Sequence, residues 1–300
     1  MKLIQAKPSL EDASVNFVFS NGYEARYVRR EPEKLLVYLS AQAGCEKACR
    51  FCHLTQTGQT DSTNAKVFEL TDQAQHVLDY YQDVCLYTNI PHAQKVHFNF
   101  MARGEPLANT LMRVMPDTVI QHIHRLVKSL GVQAQTNIST IMPFEVYDSE
   151  FVSSYGRIKE RVEFFYSLYS VNPAFRKRWL PKAMKPEDAL ERFRKWQDRT
   201  GQMLTFHWAF IKDQNDSVED IEKFLELIHP YGFKAKFNCV RYNPYSSDQG
   251  EESSEEVIQR NFKMIADVLG NGSRIVPRVG FDVQASCGMF VPGINPRNSK

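Results

Sequence analysis

The sequence predicts an α/β protein, a partial (β/α)6 barrel entered through a short N-terminal β-hairpin. Three observations carry this expectation. From residue 35 onward, apolar runs of strand length alternate with helix-length segments, which implies βαβ units around a parallel sheet. The units number six, short of the eight that close a complete barrel, so the barrel is open. Before them, Asn21-Gly22 stands between two extended segments and is a strong hairpin signal. Residues 1–34 are read as the hairpin extension and 35–300 as one core domain, with no internal repeat, low-complexity tract or clear linker.

Each element follows from its own residues. Segments 15–20 and 24–28 form the hairpin, and 35–40 is the first barrel strand. The further strands are expected at 96–101, 132–139, 162–169, 204–212 and 235–242, where apolar and β-branched residues cluster. Helical periodicity marks 70–84, 116–130, 186–199, 217–230 and 254–269, with a weaker pattern at 144–155. Pro186 suits a first helical turn, and Ser253 with Glu256 has the spacing of a capping box.

Composition bounds the class. Hydrophobic residues make up 43% of 300, enough for a substantial core, and no run is long and apolar enough to span a membrane. The first residues lack the apolar stretch of a secretory signal. Six cysteines, three clustered and three scattered, suit a reducing cytoplasm rather than a disulfide framework. A net charge of +2 neither demands nor excludes a nucleic-acid partner.

The chemistry is concentrated in Cys45-Glu-Lys-Ala-Cys49-Arg-Phe-Cys52, three thiols within eight residues. Iron–sulfur clusters are normally held by four cysteines. Three leave one iron of a [4Fe–4S] cluster open, able to take the amino and carboxylate groups of S-adenosylmethionine. The other use of such thiols is a zinc site with His53 as fourth ligand, but no second ligand pair follows. A companion motif, Arg103-Gly104-Glu105-Pro106, closes the apolar run Val96-His97-Phe98-Asn99-Phe100, and favours the cluster. In parallel α/β sheets ligands sit beyond the carboxyl ends of the strands, where both motifs fall.

Together these motifs resemble the radical S-adenosylmethionine enzymes. The C-terminal half narrows the resemblance, through Tyr166-Ser167-Leu168-Tyr169, Asn172-Pro173, Tyr242-Asn243-Pro244 and Asp282-Val-Gln-Ala-Ser-Cys287-Gly288. Their order is similar to that in the RNA adenine methyltransferases of the radical class, which methylate C2 or C8 of adenosines in ribosomal RNA and C2 in some transfer RNAs. The likeness runs over about residues 15–290 and implies the partial barrel as fold. It implies that Cys45, Cys49 and Cys52 ligate the cluster and that Gly104 and Glu105 face the methionine ammonium. Ser139 and Ser167 would contact the cofactor, and Asn243 its nucleoside part. Cys287 would be methylated by one cofactor molecule and then carry the methyl-derived carbon, as a radical, onto the adenine ring. An electron donor such as a flavodoxin is implied as a partner beside RNA.

The chain departs from the family at several positions. The second cysteine that resolves the protein–RNA crosslink falls at Tyr38, seven residues before Cys45. A phenol can act as a base only if its pKa is strongly perturbed, and it cannot form the releasing disulfide. Cys239 is the alternative resolver, expected to share a strand face with Asn243; Cys85 reads as structural. Arg103 replaces a methionine and puts a cation beside the cofactor carboxylate, Tyr169 replaces a histidine, and the hairpin begins where the family carries a separate RNA-recognition domain. For RNA, the basic stretch 175–199 with Trp179 and Trp196 offers phosphate contacts and stacking, and Arg26, Arg29 and Arg30 add a second cluster. Acidic residues 248–256 would repel a backbone beside Asn243. Two other readings stay open: radical chemistry on a small molecule, nucleotide or protein, and an RNA-binding relative without turnover.

Overall fold

Residues 1–293 are described by the computed structural model, and their strands join in chain order into one ten-stranded sheet. Strands β1 (Leu3–Pro8), β2 (Val15–Phe19) and β3 (Glu24–Glu31) run antiparallel and hand over, still antiparallel, to β4 (Lys34–Leu39). From β4 the sheet is parallel through β5 (Lys95–Phe100), β6 (Gln133–Thr140), β7 (Val162–Tyr166), β8 (Leu204–Trp208) and β9 (Ala235–Cys239), and ends on the two-residue β10 (Arg274–Ile275). Six full parallel strands make the expected partial barrel. The N-terminal extension has one strand more than the predicted hairpin: β1 is a largely exposed edge strand with no apolar alternation to announce it.

Connections after the strands supply the outer layer. These are α1 (His53–Gln56), α2 (Val67–Thr88), α3 (Thr110–Val114), α4 (Pro116–Arg125), α5 (Asp148–Tyr155), α6 (Pro173–Trp179), α7 (Pro186–Thr200), α8 (Val218–Ile228) and α9 (Glu255–Leu269). Pro186 sits in the first turn of α7 as predicted. The cap of α9 is Ser254, which accepts from the Val257 amide at 3.4 Å; Ser253 instead donates to Asp216 at 2.6 Å, so the cap lies one residue later and, with Val257 at the third helical position, the expected capping box does not form.

Side-chain alternation divides the sheet into a dry outer face and a wet inner one. On β7, Phe164 and Tyr166 point outward into a cluster with Phe151, Tyr155, Phe193 and Trp196, whose rings meet at 4.9–5.8 Å. Their neighbours Glu163 and Phe165 point into the barrel, as do Gln135, Asn137 and Ser139 of β6. The apolar residues after β7, β8 and β9 are not strand, contrary to the longer segments read from sequence. They are buried loops at the carboxyl ends, roofing the site, so composition there looks like strand.

Candidate active site

The three-cysteine loop leaves the carboxyl end of β4 and is pinned at four points. The Cys45 amide donates to Gln59 O, Arg50 to Trp179 O, Cys52 to Cys49 O, and His53 to Gly288 O, at 2.9–3.0 Å. Phe51 stacks on Tyr169 with centroids 4.2 Å apart, so the tyrosine that replaces a family histidine braces the loop. Tyr169 itself has a left-handed backbone, φ 61°.

Burial pushes the Cys45 thiol up to about 12 and raises Cys49 and Cys52 above the ordinary thiol range. Such thiols become thiolates only if a bound cation supplies the compensating charge. Among the described residues, no three His, Cys, Asp or Glu side chains converge on a single ion. Three thiols on one short loop, all opening into one cavity, are a donor set that a [4Fe–4S] cluster with one open iron would fit.

All three cysteines open into one cavity of about 200 Å³ at the carboxyl ends of the strands. Gly104 and Glu105 form its floor at the end of β5. Gly104 has φ +88° and lies so close to Gln42 that an added Cβ would approach its Cβ to 2.6 Å, so only glycine fits. The Glu105 carboxyl is pushed up to about 7 by burial, against hydrogen bonds from Thr140 and from the Leu107 and Ile141 amides, both 3.1 Å away. A buried carboxyl with ready-made donors still lacks a cation, which an ammonium would supply. Ser139 and Ser167 line the same cavity, their hydroxyls 3.2 Å apart. Tyr38, on β4, lines it too.

Cys287 lines the same cavity beside the cysteine loop, whose His53 amide donates to Gly288 O at 2.9 Å. The residue is exposed at the cavity mouth, while its thiol is pushed up to about 11 by the protein packed around it. The loop carrying it is held from below by Arg26, whose guanidinium is 2% exposed. Arg26 donates to the carbonyls of Ala285 at 2.8 Å and Met289 at 2.7 Å, with longer contacts to Gln284 and Ser286, and lies over the Phe290 ring. Glu24, fully buried, takes Arg26 on one oxygen at 3.4 Å and Arg103 on the other at 3.0 Å, and also accepts from the Val291 amide.

Four expectations need correction. Arg103 does not stand beside the cofactor position; it turns away to Glu24 and to Gln59, because an unpaired guanidinium in the cavity would be desolvated without a partner. Asn243 does not line the cavity. Its amide nitrogen donates to Cys287 O at 2.9 Å and Ser286 Oγ at 3.2 Å, so it positions the Cys287 loop. Cys239 is fully buried in the apolar core behind β9 and does not reach the cavity, since Lys236, Asn238 and Val240 take the inward positions of the alternation and turn Cys239 to the outer face. Trp179 and Trp196, at 1% and 0% exposure, belong to the core and cannot stack a base.

The basic stretch is correspondingly thinner than its sequence. Arg176 is spent on the Leu168 and Met184 carbonyls, and Arg26 on the Cys287 loop, leaving Lys177, Arg178 and Lys182 exposed beside the site. Much of the acidic segment is also paired: Glu251 with Lys212, Glu252 with Arg278, and Glu255 with Arg241. Sequence reasoning missed the exposed aromatics Phe144, Tyr147 and Tyr245 on loops after β6 and β9, where no motif marks them. It also missed the Arg26–Glu24–Arg103 linkage, which no local spacing reveals.

The chain is similar to known proteins in sequence and in fold. No family model matches the chain. Over 262 residues it is 27% identical to the probable dual-specificity RNA methyltransferase RlmN of Prochlorococcus marinus, covering 86% of this chain and 67% of the relative. It is 28% identical over 265 residues to the dual-specificity RNA methyltransferase RlmN of Helicobacter pylori, covering 87% and 67%. The chain thus spans about two thirds of the length of these relatives. Among solved structures, a radical SAM methyltransferase from Sphaerobacter thermophilus superposes with a TM-score of 0.77 at 19% identity, over 96% of this chain and 80% of the other. Methylornithine synthase gives a TM-score of 0.51 at 8% identity, over 79% and 63%. The structural likenesses establish the fold.

Proposed function

We propose that this chain, a relative of the radical S-adenosylmethionine RNA methyltransferases, methylates a ring carbon of an adenosine in RNA, with Cys287 as the methyl carrier. The observation that carries the reading is one cavity lined by the cysteine trio, Glu105 and Cys287. Cys45, Cys49 and Cys52 would hold a [4Fe–4S] cluster, and Gly104, Glu105, Ser139 and Ser167 would hold S-adenosylmethionine. When bound, the two supply the methyl group and the one-electron chemistry that activates it, fed by an electron donor such as a flavodoxin in a reducing cytoplasm.

The chain's own residues do the rest. Glu105 accepts from the cofactor ammonium, which favours its ionised form. Arg26 and Asn243 hold the loop so that the Cys287 sulfur faces the cavity. The cavity walls flank that sulfur, and a bound RNA would complete the shielding of a reactive carbon centre from water. Phe144, Tyr147 and Tyr245 offer exposed rings at the rim for a base drawn out of its stack, with Lys177, Arg178 and Lys182 for its phosphates.

Product release differs from the family's route. The cavity-lining cysteines among the described residues are Cys45, Cys49, Cys52 and Cys287, and Tyr38 stands where a second free thiol would be needed. The decisive experiment is anaerobic reconstitution with S-adenosylmethionine, reductant and ribosomal or transfer RNA, followed by mass spectrometry of protein and RNA. Wild type should gain a methyl-derived mass on Cys287 and a covalent RNA adduct; Cys287→Ala should show neither. Tyr38→Cys should deplete the adduct and raise free methyladenosine. Cofactor cleavage with no modification of Cys287 or RNA would reject the proposal and favour another substrate.

A further inference from the structure

The barrel has a second cavity, of about 280 Å³, toward the amino-terminal ends of its strands, which meets the Cys287 cavity at Arg30, Tyr38, Met101, His207 and Val276. Six cations line it: Arg30, Lys34, Lys95, Arg161, Lys236 and Arg274. One acid, Glu163, lies among them, and its charge is already committed. Its Oε1 accepts from Lys236 at 2.6 Å and from the Thr205 hydroxyl, and its Oε2 from Gln135 at 3.2 Å. Glu31, outside the lining, pairs with Lys34 at 2.8 Å and stands 3.8 Å from Arg274. The cavity therefore keeps an excess of positive charge along its lining.

Two sealed polar atoms lack partners there, the Nε of Arg30 and the Oδ1 of Asn238, the latter on a residue 3% exposed. One calls for an acceptor and the other for a donor. Deeper in, His97 is pushed down to about 3 by burial and by the charges of Lys34, Arg161, Lys236 and Arg274. His207, which borders both cavities, is pushed down to about 4 by burial, Arg274 and Arg30. Burial is the larger cause for both, and the surrounding cations add to it.

We propose that this mouth binds a small phosphate-bearing anion. A multiply charged oxyanion is the class that several converging Lys and Arg side chains recognise best. A hydroxyl on the same molecule, or a protonated phosphate oxygen, would satisfy Asn238. The walls are barrel strands, so the space admits a small molecule rather than a folded partner. The proposal is independent of the chemistry at Cys287.

The test is calorimetric titration of the full chain, purified anaerobically, with inorganic phosphate, pyrophosphate and a short single-stranded oligonucleotide. Pyrophosphate should bind more tightly than phosphate, and Arg161→Gln and Lys95→Gln should each weaken it about tenfold, one charge-assisted contact each. Both residues are exposed and outside the methyl-transfer site, and melting curves check that the variants fold. In labelled-histidine spectra, pyrophosphate should move the His97 and His207 signals and leave His122 in place. No heat and no shift at millimolar pyrophosphate, or equal affinity in both variants, would overturn the proposal. Tighter, variant-sensitive binding of the oligonucleotide would also overturn it, in favour of a nucleic-acid backbone contact.

Discussion

Arg103 is the residue whose sequence reading and structural role diverge most. Adjacent to the Gly104-Glu105 floor, it reads as a cation for the cofactor, yet its guanidinium completes a buried ion pair linking three segments: β3 through Glu24, the cysteine-loop side through Gln59, and the Cys287 loop through Glu24 and Val291. A one-dimensional motif shows neighbours, not the direction of a side chain, so this partner set was not legible. The meeting of Cys45, Cys49, Cys52, Glu105 and Cys287 in one cavity was, because their motifs fall at the carboxyl ends of parallel strands. Arg103→Met, which installs the family residue, leaves one oxygen of a fully buried carboxylate without its cation. Arg26 still balances the Glu24 charge, so the cost is that of one charge-assisted hydrogen bond, about 2 kcal/mol. The double change Glu24→Gln with Arg103→Met should destabilise further, because it leaves the buried Arg26 guanidinium without a counter-charge. Urea denaturation of the four proteins gives the cycle, and an Arg103→Met variant as stable as wild type would show that Arg26 alone satisfies Glu24.

At the scale of elements, the order of strands and helices was legible because hydrophobic periodicity reports the outer, dry face of each one. The inner face was not. Strands β5 to β9 carry His97, Asn99, Gln135, Asn137, Glu163, His207 and Asn238 inward, and these read in sequence as ordinary polar alternation toward solvent. Helix α6 was overlooked although Asn172 caps it and Pro173 opens it, since seven residues give too little periodicity. The polar interior has a measurable consequence. His97 and His207 are held far below the ordinary 6.5, and His124, behind β6, is pushed down to about 4 by burial. In the unfolded chain they bind protons near pH 6.5; in the native protein they do so only near pH 3 to 4. Between those values the unfolded state binds more protons, so stability falls as pH falls. Glu105, raised to about 7, acts with the opposite sign between its ordinary 4.5 and 7, but it is one group against three. The melting temperature should therefore drop on acidification from about pH 6.5 to 4. His97→Gln with His207→Gln should flatten that slope; an unchanged slope would assign the acid sensitivity elsewhere.

At the scale of the molecule, positive charge is sorted to the two ends of the barrel, and the ends should answer to different ligands. At the carboxyl end Lys177, Arg178 and Lys182 stand exposed on the connection after β7, with Lys182 over the ring of exposed Phe144 at 5.8 Å. At the amino end Lys95 and Arg161 ring the second cavity. If RNA approaches the Cys287 cavity, its phosphates meet the first set. Each phosphate neutralised on a single strand contributes about 0.7 to the dependence of log affinity on log salt. Replacing Lys177, Arg178 and Lys182 together with glutamine should reduce the slope for single-stranded RNA by about 2 and weaken binding at low salt. Lys95→Gln and Arg161→Gln should leave the slope as it is, although they remove cations from the same protein. Fluorescence anisotropy across a salt series separates the cases. Equal losses from the two ends would mean a nonspecific response to net charge, whereas loss confined to the carboxyl end ties RNA to the face into which Cys287 opens.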